Sequence, residues 1–179
     1  MTYISLLRGI NVSGQKKIIM KDLKALYESL GFENVETYIQ SGNVVFESEL
    51  KENTLIDKIE KEIQIKYGFE VPVQVGSVDT FDDMMKACPF SDLDLVAEGT
   101  RVMVTFLASV PSVEHVQKLM TYVKEPERLV VVGREVYLYC PNGYGKTKLS
   151  NNFIENKLKV NATTRNWKSV LKLSSLSKI

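Results

Sequence analysis

The chain is poor in the side chains that build most catalytic and metal sites. It has one histidine, His115, and two cysteines, Cys88 and Cys140, which lie far apart in the sequence. Most zinc sites and most Ser-His or Cys-His nucleophilic sites need more of these residues. The cysteines form neither a disulfide framework nor a metal-binding spacing, as in proteins of a reducing cytoplasm. We therefore expect no metal site and no cofactor.

Long apolar runs are also missing. No stretch approaches the ~20 consecutive apolar residues of a membrane span, and residues 1–10 lack the basic flank and cleavage site of a secretory signal. The 179 residues are 44% hydrophobic and 25% charged, which is typical of a globular protein. We expect a cytoplasmic protein without a membrane partner, and its oligomeric state is left open.

The net charge of +1 conceals an uneven distribution. Residues 1–21 hold four basic residues and no acidic one, and residues 142–179 hold eight basic residues and one acidic residue. If the two ends meet, they form a basic face that attracts anions and steers their approach. The alternative is that basic ends only balance the acidic middle of the chain.

The apolar spacing of the first half predicts the element order βαββαβ, which is the ferredoxin-like unit. The elements are a buried strand at residues 2–7, a helix with Leu23, Leu26, Tyr27 and Leu30 on one face, a hairpin of residues 35–40 and 43–47 that turns at Ser41-Gly42, a helix at residues 52–67 and a strand at residues 71–75. Pro72 favours an edge position for this last strand.

The same order begins again in the second half. The elements are a strand at residues 101–108, a helix that starts near Pro111 and aligns Val113, Val116, Leu119, Met120 and Val123, a hairpin of residues 128–132 and 135–140, a helix at residues 147–158, an extended piece at residues 160–163 and a terminal helix. We predict an α+β fold of two ferredoxin-like subdomains, residues 1–78 and 100–179, with a helix and acidic loop at residues 79–99 between them. A single larger α+β sheet is the alternative.

A glycine-containing loop at residues 143–147 lies between a predicted strand and helix, where phosphate-binding loops occur. A Walker A motif would need glycine at position 140, which is Cys140, so that motif fails. Free N–H groups at the helix start, flanked by Lys146 and Lys148, would still suit an anion. The alternative is a glycine turn that only leads the chain into the helix.

A second such loop follows the first strand. Arg8 and Asn11 would supply hydrogen-bond donors there, and Gly9 and Gly14 would permit tight turns. The alternative is that Arg8 pairs with an acidic residue and Asn11 caps a turn.

The third candidate is the segment of residues 163–167. Asn166 or a neighbouring threonine would cap the terminal helix, and Arg165 would project from its positive end, which requires an anionic partner. Tyr137 and Tyr139 share a strand face, where they would either stack bases or belong to the core.

Three separated segments resemble, in order, the bacterial family catalogued as domain of unknown function 1697. They are residues 5–48, which open with SLLRGINVSGQKK, residues 141–158 (PNGYGKTKLSNNFIENKL) and residues 162–173 (ATTRNWKSVLKL). Ser13 and Thr147 depart mildly from the glycine and serine that the family usually has there. The resemblance implies two ferredoxin-like subdomains and no activity.

Our leading hypothesis is a protein that binds an anionic ligand at a basic site shared by its N- and C-terminal loops. A nucleotide, a phosphorylated metabolite or nucleic acid would fit. Arg8, Lys148 and Arg165 would contact the anion, Asn11, Ser41, Asn43 and Asn166 would orient it, and Gly9, Gly14, Gly143 and Gly145 would let the backbone approach.

Two other classes of function stay open. One is an enzyme acting on a phosphorylated or nucleotide-like substrate, in which lysine, tyrosine or a carboxylate of shifted pKa would do the acid–base work. The other is an interaction module that dimerises through a sheet face or an open edge.

Overall fold

The computed structural model describes residues 1–179 and contains eight strands and six α-helices. In chain order they are β1 (Thr2–Leu7), α1 (Met20–Ser29), β2 (Glu33–Tyr38), β3 (Asn43–Glu47), α2 (Glu52–Tyr67), β4 (Val73–Ser77), α3 (Val78–Lys86), β5 (Val102–Leu107), α4 (Val113–Met120), β6 (Arg128–Val132), β7 (Glu135–Tyr139), α5 (Asn151–Leu158), β8 (Ala162–Asn166) and α6 (Trp167–Leu176). No helix combines the length and hydropathy needed to span a membrane.

The chain divides into two compact units. Unit 1 comprises Met1–Asp83 and Lys172–Ile179, and unit 2 comprises Met84–Leu171. Each unit contains one four-stranded antiparallel sheet, with strand order β2-β3-β1-β4 in unit 1 and β6-β7-β5-β8 in unit 2. The equivalent strands occupy equivalent places in both sheets, which confirms the prediction of an α+β fold with two ferredoxin-like subdomains.

The core of unit 1 is built around aromatic side chains. Phe46 of β3 stacks on Phe32 with 4.7 Å between ring centres and meets the edge of Tyr27 at 5.3 Å. Leu55 and Ile59 of α2 are buried in the same cluster at the predicted helical spacing. Burial raises the pKa of the Tyr27 phenol, which shares a 2.8 Å hydrogen bond with the Ser5 hydroxyl.

The core of unit 2 joins α4 and α5 to the sheet through aliphatic residues such as Leu119, Leu138 and Ile154. Tyr137 is fully buried and its hydroxyl donates a 2.6 Å hydrogen bond to the Met84 carbonyl oxygen. Tyr137 is therefore a core residue and not a base-stacking one, because a ring without exposed surface cannot stack on a base.

Several element boundaries differ from the sequence prediction, among them those of β2 and β4, and polar side chains account for the differences at α4 and α5. α4 ends at Met120, where the Thr121 hydroxyl bonds back to the Lys118 carbonyl oxygen, and Val113 is 73% exposed rather than part of an apolar face. α5 begins at Asn151 instead of residue 147, because Ser150 caps it. The extended piece lengthens into β8.

Candidate functional site

The loop between β1 and α1, residues 8–19, is held in place by one side chain. Asn11 Nδ2 donates to the carbonyl oxygens of Ile18, at 2.9 Å, and Gln40, at 2.8 Å. Asn11 Oδ1 accepts the backbone N–H of Ile18 at 2.9 Å. The amide therefore closes its own loop and ties it to residues 39–42, the turn between β2 and β3. The bonds to Ile18 agree with the alternative prediction that Asn11 caps a turn, the bond to Gln40 was not predicted, and ligand contact by Asn11 stays a prediction.

The backbone of this loop is unusual. Gly9 and Gly14 have positive φ, as predicted from their turn-forming capacity, but so do Asn11 (55°), Ser13 (51°) and Lys16 (47°). Left-handed backbone at non-glycine residues costs free energy and tends to occur where function requires a particular loop shape.

The β2–β3 turn packs against the loop through Gly42. A Cβ atom built on Gly42 would lie 2.6 Å from Ile10 Cδ1 and 2.9 Å from Leu7 Cβ, and its φ is +82°. The predicted hairpin is confirmed, but its connection is four residues long, 39–42, rather than the pair Ser41-Gly42. Ile39 in this turn also has a positive φ of 53° although it is β-branched.

Asn43 and Ser41 stabilise the turn through side-chain hydrogen bonds. Asn43 is fully buried, and its Nδ2 donates to the Tyr38 carbonyl oxygen at 2.9 Å and to Ser41 Oγ at 3.0 Å. Its amide therefore closes the turn. Its predicted role of orienting a ligand directly is hard to reconcile with complete burial, whereas Ser41 is partly exposed.

An open groove lies where the loop and the turn meet. Its volume is about 310 Å³, and it is lined by Asn11, Gly14, Lys17, Ile18, Ile19 and Gln40. Ile19 is 66% exposed, and Ile39, next to Gln40, is 48% exposed. The lining contains no acidic residue, histidine or cysteine. We call this feature the unit 1 groove.

The basic residues of the segment differ in how they are engaged. Lys16 Nζ donates to the Glu70 carbonyl oxygen, whereas Lys17 is exposed beside the groove. Arg8 directly follows β1, and its backbone N–H donates to the Pro72 carbonyl oxygen at 2.9 Å. α1 begins without a side-chain cap because its N-cap residue is Ile19. The positive end of α1 thus adjoins the groove wall.

The loop at residues 143–147 in unit 2 uses its polar groups internally. Gly143 has a positive φ of 96°, and Gly145 lies in a short 3-10 turn, Tyr144–Lys146. Thr147 Oγ1 donates to Glu127 Oε2 at 2.8 Å. At the start of α5, the Tyr144 hydroxyl accepts the Asn151 N–H and Ser150 Oγ accepts the Phe153 N–H. The expectation that these N–H groups are free for an anion is therefore wrong for these two.

Arg165 lies in β8, paired with Val104 of β5, and not in the first turn of the terminal helix as predicted. It is 9% exposed, and its Nη1 donates to the Thr164 carbonyl oxygen at 2.9 Å. Burial disfavours the charged form and lowers the pKa of Arg165 to about 10. Asn166 Oδ1 accepts the Ser169 N–H at 2.9 Å, which confirms Asn166 as a cap of α6.

Lys148 lies among aromatic and basic residues that sequence reasoning missed. Its Nζ is 4.9 Å from the Tyr122 ring centre, and Lys157 Nζ is 4.8 Å from the same point. The i, i+4 spacing of Phe153 and Lys157 on α5 was the available signal. That Arg8 shares one ligand with Lys148 and Arg165 stays a prediction.

Comparisons with known proteins agree with the fold but do not identify an activity. The model of a family described as "Protein of unknown function (DUF1697)" matches residues 1–137, a range that includes the whole unit 1 groove. The solved structure of the conserved bacterial protein SP0830 from Streptococcus pneumoniae is similar to this chain, with a TM-score of 0.76 and 26% identity over 98% of each chain. No curated protein matches the chain.

Proposed function

The chain belongs to the family described as Protein of unknown function (DUF1697), and we propose that it binds a small phosphate-bearing ligand in the unit 1 groove. One observation carries the proposal: a loop with three left-handed non-glycine residues is clamped by Asn11 around a groove that exposes Lys17. Such loop strain is maintained against a cost in stability, which selection tolerates where the loop shape is used.

The chemistry of the groove favours an anion with an apolar part. Lys17 and the uncapped end of α1, whose first turn also carries the acidic Asp22, would attract phosphate oxygens, and Arg8 adds a further positive charge. Ile19 and Ile39 would cover an apolar portion such as a nucleoside base.

The size and composition of the groove favour binding of a small molecule. Its volume of about 310 Å³ falls at the lower end of the range for small-ligand sites, roughly 300–1,000 Å³. Since its lining offers no acidic residue, histidine or cysteine, the groove has few groups suited to acid–base or nucleophilic catalysis. We therefore propose a binding function ahead of an enzymatic one.

The test is a thermal-shift and ¹⁵N-NMR titration with inorganic phosphate, pyrophosphate, AMP, ATP and a short single-stranded oligonucleotide. A ligand at 100 times its Kd should add about 2.7 kcal/mol to the unfolding free energy, and the amide signals of Gly9, Asn11 and Gly14 should shift. Arg8→Gln with Lys17→Gln should abolish the shifts of these three signals. Lys58→Gln with Lys61→Gln, two exposed lysines of α2, is the matched control.

Two results would count against the proposal. The first is a panel in which no compound shifts the loop signals. The second is a shift of the Gly9, Asn11 and Gly14 signals that survives the Arg8 and Lys17 changes. An oligonucleotide that binds alone, with an affinity that falls steeply as salt rises, would indicate nucleic acid instead of a small ligand.

A further inference from the structure

Unit 2 contains a second concentration of positive charge, which we call the lysine–aromatic cluster. It consists of Lys118, Tyr122, Lys148, Phe153 and Lys157. The two rings meet edge to face with 5.1 Å between their centres. Lys148 Nζ lies 4.9 Å from the Tyr122 ring centre and 5.5 Å from that of Phe153, and the corresponding distances for Lys157 Nζ are 4.8 and 5.4 Å.

The ammonium groups of the cluster form no ion pair within the protein. None of the three lysines forms an ion pair with a carboxylate. Glu155, the acidic residue nearest to both lysines in the sequence, accepts the Ala162 N–H, and Glu127 accepts the Thr147 hydroxyl.

Two like charges are thus held close together. Because Lys148 Nζ and Lys157 Nζ both lie within 5 Å of one ring centre, they are no further apart than about one Debye length at 0.1 M salt, ~10 Å. Attraction to the ring faces offsets part of their repulsion. An anion bound to both ammonium groups would reduce the remaining repulsion, so the cluster favours an anionic ligand.

We propose that the lysine–aromatic cluster binds the phosphate group of a small molecule, with Lys148, Lys157 and the Tyr122 hydroxyl as its donors. Lysine ammonium groups bind phosphate as point charges and can adjust to its oxygens through their flexible stems. A phenol adds a directional O–H donor. Because the lysine ammonium groups already lie against the Tyr122 and Phe153 rings, these rings are less suited to the base stacking by which single-stranded nucleic acid is bound.

The electrostatics of Tyr122 agree with this geometry. The nearby ammonium group of Lys157, followed by the charges of Lys118 and Lys148, lowers the pKa of the Tyr122 phenol. The lysines therefore already favour negative charge at the Tyr122 oxygen. A bound phosphate would reverse this effect and raise the Tyr122 pKa.

This second site is independent of the unit 1 groove, because the two share no residue. The probes are inorganic phosphate and pyrophosphate, titrated into the whole protein at constant ionic strength. Binding is followed by the ¹⁵N-NMR signals of residues 118–122 and 148–157. We expect saturable binding that weakens at least about tenfold, equivalent to ~1.4 kcal/mol, in Lys148→Gln with Lys157→Gln.

Two further variants make the test specific. Lys124→Gln with Lys168→Gln removes the same charge from exposed positions of unit 2 outside the cluster and should leave binding unchanged. Tyr122→Phe keeps the ring and should weaken binding through loss of the O–H donor. Melting curves establish that each variant is folded.

The proposal is overturned by any of three results. The first is that the wild type shows no saturable binding of either anion. The second is that the wild type and the Lys148 and Lys157 double variant bind equally well. The third is that the double variant and the Lys124 and Lys168 control lose binding equally, which would indicate an effect of net charge alone. The Arg8 and Lys17 variant, which tests the groove, should still bind phosphate at the lysine–aromatic cluster. Each proposal can therefore be refuted without affecting the other.

Discussion

The side-chain amide of Asn11 donates a 2.8 Å hydrogen bond to the carbonyl oxygen of Gln40. This bond joins two segments that are 29 residues apart in the sequence and places both on the wall of one groove. The same amide makes two further bonds, both to Ile18. The shape of the groove therefore depends on the hydrogen bonds of this one side chain together with the burial of Ile10 and Ile18 in the core.

Two replacements of Asn11 distinguish the contribution of its hydrogen bonds to stability from the cost of its backbone strain. Asn11→Gly removes three hydrogen bonds but accepts a φ of 55°, so we expect a loss of roughly 2 kcal/mol in unfolding free energy. Asn11→Ala also places an ordinary side chain in the left-handed region and should lose about 1 kcal/mol more. Chemical denaturation measures both values.

The control for these variants is Asn53→Ala, since Asn53 is exposed on α2. It should change stability by less than about 0.5 kcal/mol. Equal stability of Asn11→Gly and the wild type would show that the three bonds do not hold the loop.

Gly42 should tolerate no side chain. Gly42→Ala would bring a Cβ atom to 2.6 Å from Ile10 and force a φ of +82° on alanine. Steric overlap and left-handed strain together should lower the unfolding free energy by about 2–4 kcal/mol. Gly76→Ala in β4, where a Cβ atom meets nothing within 4 Å, should be nearly neutral. Similar effects of the two substitutions would refute the close approach at Gly42.

The regular elements could be predicted from the sequence because apolar periodicity determines them directly. Leu55, Ile59 and Ile63 repeat every four residues, and α2 has the predicted bounds. Boundaries set by polar side chains could not be predicted in this way. Nothing in the apolar pattern shows that Ser150 caps α5 or that the strand continues through Arg165.

The site was predictable only at the level of segments. Turn chemistry and charge drew attention to residues 8–14, which do form a wall of the groove. However, the sequence could not show that the Asn11 amide bonds to Gln40, because the two residues are 29 positions apart and only the folded chain brings them together. It also could not show that Lys148 and Lys157 meet at Tyr122, since that requires the packing of α5 against the end of α4.

Ile39 should be replaceable with a gain in stability. It is β-branched, 48% exposed and left-handed, with a φ of 53°. Ile39→Gly relieves about 1–2 kcal/mol of backbone strain and costs roughly 0.5–1 kcal/mol in unfolded-state entropy, so a net gain near 0.5–1 kcal/mol is expected. If the turn shape serves the groove, the same variant should bind the groove ligand more weakly.

The matched control for Ile39 is Ile65→Gly. Ile65 is 65% exposed within the regular part of α2, where glycine should lose about 0.5 kcal/mol relative to isoleucine. The opposite signs of the two substitutions isolate the backbone effect. A loss of stability in Ile39→Gly comparable to that in Ile65→Gly would argue against strain at the turn.

Tyr122 should be the first tyrosine to ionise as pH rises. Its pKa is lowered by the ammonium group of Lys157 and by the neighbouring lysines, whereas burial raises the pKa of Tyr27 and Tyr137. A spectrophotometric pH titration of the folded protein should show an early phenolate phase below the usual pKa of about 10. Tyr122→Phe should delete this phase.

The Lys157→Gln variant should move that early phase upward, because its largest cause is gone. The sign of the linkage follows from the lowered pKa. Between the folded pKa and the unfolded value near 10, the folded state has already released a proton that the unfolded state keeps, so the contribution of Tyr122 to stability grows with pH in that window. A first phase that is unchanged in both Tyr122→Phe and Lys157→Gln would assign it to another tyrosine and remove the electrostatic support for the lysine–aromatic cluster.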